Sequence, residues 1–148
     1  MRAVVQRVKR AQVSVEGRIV GQIGPGLLVL LGVATYDTEA DARELAGRIL
    51  KMRIFADPAG KMNLDLQAVG GQLLVVSQFT LLADTSAGRR PSFTGAAPPD
   101  QARELYREFL SLCRAAGIKT EEGEFGAMME VELVNDGPVT FVLDSRTK

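Results

Sequence analysis

The sequence predicts an α+β fold, a curved and mainly antiparallel sheet or partial barrel carrying two main helices. Three observations carry that expectation. Strand-like segments run consecutively at both ends of the chain instead of alternating strictly with helices. Two stripes of helical period, over residues 38–52 and from Pro98 to just before Gly117, are well separated. Leu27–Val33 is apolar throughout and Gln72–Phe79 is rich in Val and Leu, as strands buried on both faces are. With 148 residues, 46% hydrophobic and 24% charged, the chain fits one domain over 1–148.

The elements follow in order. Val4, Gln6 and Val8 alternate with Val5, Arg7 and Lys9, and Val13-Ser14-Val15 continues the pattern. Glu16-Gly17 is a turn signal, which makes Ala11–Val15 and Arg18–Gln22 a hairpin. Gly24-Pro25-Gly26 breaks the chain before the central strand Leu27–Val33. Thr38 and Asp41 have capping-box spacing, and Ala42, Leu45, Ala46 and Ile49 share one helical stripe. Arg53–Phe55 reads as a short strand before a turn at Asp57–Gly60. Gln72–Phe79 is a second buried-type strand, and Ala83–Ala97 is loop by its Gly, Pro, Ser, Thr and Asp content. Pro98-Pro99-Asp100 opens the second helix, whose face holds Ala102, Leu105, Tyr106, Phe109, Leu112 and Cys113; Gly117 ends it. Met129, Val131 and Leu133, then Val139, Phe141 and Leu143, mark two last strands joined through a turn at Asn135-Asp136-Gly137-Pro138.

Composition excludes whole classes of chemistry. The chain has no His, no Trp and one Cys. Without imidazole there is no Ser-His-Asp or Cys-His catalysis and no zinc site with His ligands, and one Cys supplies neither a thiolate cluster nor an intramolecular disulfide. Cys113, inside an apolar helix stripe, reads as a small core residue. No metal and no cofactor is expected. The longest apolar run, Gly26–Ala34, is about half the roughly 20 residues a spanning helix needs, so a soluble cytoplasmic protein with no membrane partner is expected. Eighteen Lys and Arg balance 18 Asp and Glu; no broad basic face and no DNA partner are expected.

P-loop, dinucleotide-binding and Gly-x-Ser-x-Gly patterns are all missing. Glu121, Glu122 and Glu124 read as a solvated face. Two segments stand apart from core logic. Ser77-Gln78-Phe79-Thr80-Leu81 ends an apolar strand with polar residues, where alternation puts Ser77 and Phe79 on one face and Gln78 and Thr80 on the other. Asn135-Asp136-Gly137-Pro138-Val139-Thr140 is the second. Taken singly, the first reads as a strand leaving the core and the second as a plain connection. As an ordered pair some 55 residues apart, they are similar to the motifs of the D-aminoacyl-tRNA deacylase family. Gln6-Arg7-Val8, Gly26–Val33, Lys61-Met62-Asn63-Leu64, Arg90-Pro91-Ser92-Phe93 and Leu133–Phe141 extend the resemblance over nearly the whole chain.

That resemblance implies a homodimer that hydrolyses the ester between a D-amino acid and the 3′ end of tRNA. It implies that Gly137-Pro138, with a cis peptide bond, enters the partner's pocket and rejects L-amino acids. It places Ser77, Gln78, Phe79 and Thr80 on the substrate, Phe125 and Met129 beside them, and Arg7 as a brace for the Gly-Pro loop across the dimer. Backbone N–H groups near Gln78–Thr80 are candidates for oxyanion stabilisation, and Thr80 for positioning or nucleophilic attack. Glycyl-tRNA is an expected second substrate. Arg89 and Arg90 are candidates for phosphate contacts, and a 5% aromatic content argues against several stacked bases. Two other readings stand beside this one: a small-molecule-binding oligomeric barrel without catalysis, and an imine or enamine hydrolase.

Overall fold

A computed structural model describes residues 1–147. Its spine is β1 (Arg2–Val15), a strand long enough to serve three neighbours. Along one edge it pairs antiparallel with β2 (Arg18–Ile23) near its end and with β3 (Gly26–Gly32) near its start. Its other edge is occupied by β8 (Glu130–Asp144), also antiparallel. β3 pairs in parallel with β6 (Gln72–Ser77), and β6 in parallel with β7 (Thr120–Glu122). The sheet is therefore mainly antiparallel, as expected, with a parallel portion at β3, β6 and β7 that was not expected. Parallel neighbours need long crossovers, and the two helices supply them: α1 (Glu39–Lys51) lies between β3 and β6, and α2 (Pro99–Ala115) between β6 and β7.

Curvature brings β2 back over β7, so the sheet is nearly closed. A methyl group on Gly21 would run into the Glu122 carbonyl and lie 3.2 Å from Leu74 Cδ1. Only a residue without Cβ allows this approach. Two apolar layers result. Leu27, Val29, Leu31, Leu73 and Val75 face Leu45, Ile49, Leu105, Phe109 and Cys113 of the helices. Leu28, Leu74 and Val76 face inward with Val8, Ala11, Val13 and Ile23. Burial on both faces explains why β3 and β6 are continuous apolar runs. Cys113 is fully buried, and desolvation pushes its thiol up to about 12.

Local signals place most boundaries. Thr38 and Asp41 form the capping box that starts α1. Glu16 and Gly17, at φ +50° and +77°, make the tight turn between β1 and β2, and Gly117 at φ +85° follows α2. α2 itself has Pro98 at its N-cap and no side-chain cap. The short strand after α1 is β4 (Phe55–Ala56), paired with β5 (Met62–Leu64), and does not include Arg53 and Ile54. No helix among the described residues is long and apolar enough to cross a membrane.

Two expectations are corrected where they matter most. β6 stops at Ser77. Its ladder ends when the Gln78 amide donates to the Leu31 carbonyl at 2.8 Å, and Phe79–Leu82 then winds into a short 3-10 helix. The strand alternation expected through Thr80 is thereby lost. Nor does Asn135–Pro138 join two strands at a turn. β8 runs through it along the same partner, taking five steps from Asn135 to Thr140 while β1 takes two from Val8 to Gln6. The surplus leaves the sheet as a bulge.

Candidate active site

Ser77 and Gln78 close β6, and Phe79 and Thr80 open the 3-10 helix that follows. Gln78 Nε2 donates to Thr80 Oγ1 at 2.5 Å, so the two polar side chains expected on one face meet through a helical turn instead. The Gln78 amide is spent on β3. The Phe79 and Thr80 amides have no acceptor among the described residues, as the first amides of a helix lack intrahelical partners. Phe79 is 54% exposed and packs edge-to-face on Phe93, with ring centroids 5.1 Å apart.

Phe125 and Met129 flank Gly123 but belong to different layers. Phe125 packs on the helix side, tilted against Tyr106 at 5.8 Å, with the Arg103 guanidinium 4.9 Å over its ring. Met129 packs on the inward side, where a Cβ on Gly123 would stand 2.7 Å from its sulfur. Both neighbour the end of β6, because the Gly123 amide donates to the Val75 carbonyl at 3.2 Å. Tyr106 Oη donates to that same carbonyl at 2.8 Å, and burial holds its phenol well above the usual range. Tyr106 is thus a packing group with its proton fixed. Beside these residues a recess of about 530 Å³ is lined by Arg103, Tyr106, Arg107, Glu122 and Phe125.

The bulge in β8 is held by side chains on both sides of its neck. Asn135 Nδ2 donates to the Arg7 carbonyl at 3.1 Å and the Val139 carbonyl at 2.9 Å, while Asn135 Oδ1 accepts the Val139 amide at 3.0 Å. One amide side chain thereby closes the excursion like a missing rung. Arg7 adds a second tie, donating from Nε to the Asp136 carbonyl at 2.9 Å and from Nη1 to the Ile54 carbonyl at 2.5 Å. Within one chain, then, Arg7 holds its own loop. Gly137 and Pro138 sit exposed at the tip, joined by a cis peptide bond. A Cβ on Gly137 would overlap the Val139 amide nitrogen and stand 2.6 Å from Val139 Cγ2, so position 137 admits no side chain in this conformation.

The tip does not meet Ser77–Thr80 of its own chain: β1 and β3 lie between β8 and β6. Sequence reasoning overlooked Asn135 as a structural bracket, because Asn in a Gly-Pro segment reads as turn chemistry. Arg90 and Arg89 lie exposed on the loop between Asp84 and Ser92. No group of His, Cys, Asp and Glu fit to hold a metal ion is present among the described residues.

A family model described as D-Tyr-tRNA(Tyr) deacylase matches residues 4–144. A D-aminoacyl-tRNA deacylase of Deinococcus radiodurans is 62% identical over 97% of this chain and 99% of its own. The solved structure of a protein named c-Myc DNA Unwinding Element Binding Protein is 40% identical, with a TM-score of 0.93 over 99% of this chain and 100% of that one. A structure described as a probable eukaryotic D-amino acid tRNA deacylase, 20% identical, shares the fold with a TM-score of 0.84 over 97% of this chain and 98% of its own.

Proposed function

The chain belongs to the D-Tyr-tRNA(Tyr) deacylase family, and from that premise we propose that it hydrolyses the ester joining a D-amino acid to the 3′-terminal adenosine of tRNA. Water adds to the ester carbonyl carbon, the bond from that carbon to the ribose oxygen breaks, and the departing oxygen takes a proton. Free D-amino acid and uncharged tRNA result. The observation that carries this reading is the family match over residues 4–144, which takes in both Ser77–Leu81 and Asn135–Thr140.

Selectivity is assigned to the backbone at Gly137-Pro138. D- and L-amino acids share their amino and carboxyl groups and differ in which Cα position carries the side chain. A wall at the L position separates them better than hydrogen bonds do, and it must not yield. The Asn135 and Arg7 ties make the bulge suited to that part. Because the tip and Ser77–Thr80 are separated within one chain, the reading requires a homodimer in which each tip enters its partner's pocket. The outer edge of β8 supports this: no strand among the described residues pairs with it, and Val131 and Val142 on it are 37% and 70% exposed. Long bare edges of this kind are ordinarily covered.

The chemistry suits a chain without His. An aminoacyl ester is already activated, and the neighbouring 2′-hydroxyl of the ribose assists attack, so the protein mainly orients the ester and stabilises the oxyanion. The Phe79 and Thr80 amides are the candidates for that stabilisation. Thr80 Oγ1 accepts from Gln78 and has no base beside it among the described residues, which favours positioning over nucleophilic attack. Glycine carries no side chain in either position, so the same wall passes glycyl-tRNA.

The test is hydrolysis of D-tyrosyl-, L-tyrosyl- and glycyl-tRNA under equal conditions. The expected order is cleavage of the D and glycyl esters and sparing of the L ester. Equal cleavage of both enantiomers, or of none, overturns the reading; cleavage of D-tyrosyl-tRNA with glycyl-tRNA left intact overturns the backbone wall.

A further inference from the structure

Exposed aromatic rings are ordinary singly, but Phe79 and Phe93 are exposed together, 54% and 37%, in an edge-to-face pair at 5.1 Å. Phe79 adjoins the polar end of β6. Phe93 comes from the long loop before α2, and its backbone is fixed. Asp84 and Ser92 exchange two N–H···O=C bonds at 2.8 Å, the Phe93 carbonyl accepts the Ala96 amide at 3.0 Å, and Ala97 is tied to Val33 at 2.9 Å. Asp84 also accepts the Ser86 amide at 2.9 Å. The exposed segment 85–91 that this bridge closes carries Arg89 and Arg90. Neither enters an ion pair among the described residues. Two rings on rigid backbone with free guanidinium groups beside them have the composition of a single-strand nucleic-acid subsite, where a ring stacks a base and arginines take the phosphates.

We propose that the Phe79–Phe93 pair stacks one unpaired base of the RNA strand that carries the ester, on the 5′ side of the reacting adenosine, with Arg89 and Arg90 on the adjoining phosphates. The inference rests on the deacylase reading and extends it from the ester to the strand. It gives the exposed Arg89 and Arg90 of this tethered loop a partner. A single stack also fits the low aromatic content.

The test compares two substrates: D-tyrosyl-adenosine, which ends at the reacting ribose, and the D-tyrosyl ester of the tRNA 3′ trinucleotide. The wild-type protein is expected to favour the trinucleotide in kcat/KM. Phe93→Ala lowers that preference about 5- to 150-fold, the worth of one base–aromatic stack, and Phe93→Tyr restores it. Arg89→Ala with Arg90→Ala flattens the salt dependence of KM for the trinucleotide, by about 0.7 in the log–log slope per lost contact. Wild-type cleavage of neither ester counts against the deacylase reading itself. Cleavage of both with the preference intact in Phe93→Ala overturns the stacking subsite alone. So does a Phe93→Ala protein whose sedimentation shifts while its preference holds, which makes the ring pair a contact between copies.

Discussion

Asn135 is the residue through which the proposed selectivity mechanism is most directly tested. Its amide makes three hydrogen bonds of 2.9 to 3.1 Å to the backbone of Arg7 and Val139, bridging the neck of the Gly137-Pro138 bulge. Each such bond is worth about 0.5–1.5 kcal/mol net, and the site is half-buried, so Asn135→Ala is expected to cost about 2 kcal/mol. For a chain of this length that lowers Tm by roughly 4–8 °C. In the proposed reading, the same energy is the resistance that the bulge offers to an L side chain pushing on it. Released, it allows the ratio of kcat/KM for D- over L-tyrosyl-tRNA to fall by up to about 30-fold. Asn135→Asp gives no rescue, because it keeps the acceptor for the Val139 amide but turns a carboxylate toward the Arg7 and Val139 carbonyls. Thermal unfolding and paired deacylation assays measure both quantities on one preparation. A Tm drop of the stated size with an unchanged D-to-L ratio refutes the bulge as the selective element. An unchanged Tm refutes the bracket.

Two further predictions concern the mechanism and the fold. Thr80→Ala is expected to keep D-tyrosyl-tRNA turnover within about tenfold of wild type, as orientation by neighbouring groups and the substrate's own hydroxyl imply; single-turnover rates at background level instead assign Thr80 a direct chemical part. Asp41 supplies the pH dependence. Burial opposes its ionised form, but hydrogen bonds from the Thr38 amide, Ser145 and Arg146 outweigh that and hold its carboxyl down at about 2. A depressed folded-state pKa contributes stability that is complete above the ordinary carboxylate range and lost as pH falls toward 2, up to about 2 kcal/mol. Urea unfolding of wild type and Asp41→Asn therefore differs at pH 5, and the difference shrinks by pH 2.5; a constant gap contradicts the assignment.

How much of this was legible in the sequence depends on the range of the signal. Local chemistry was plain. The Thr38–Asp41 capping box, the Glu16-Gly17 turn and the apolar runs of β3 and β6 each depend on neighbours within a few residues or on burial of both faces, and each lies where the pattern put it. The parallel pairing of β6 was not legible. Nothing in Gln72–Ser77 distinguishes a parallel from an antiparallel neighbour; the direction follows from the helix that must be crossed to reach it. The end of β6 was misplaced for a related reason. Phe79 and Thr80 suit a strand, but the ladder on the β3 side runs out at Leu31 and the freed chain coils.

The bulge is the deepest case, because its residues carry the right turn chemistry and still do not turn. Asn, Asp, Gly and Pro reverse a chain when the strands they join must pair with each other. Here both arms of β8 already have a partner, since β1 extends past the bulge in both directions, pairing Arg2 with Asp144 and Ser14 with Glu130. A reversal would abandon one of those ladders. Keeping both forces the surplus residues out of the sheet, where their amides and carbonyls need substitute partners, and Asn135 and Arg7 supply them. A 14-residue β1 thus turns a would-be hairpin into a rigid exposed backbone knuckle. Rigidity and exposure together are what a chain needs if main-chain atoms, with no side chain to swing aside, are to discriminate one enantiomer from the other.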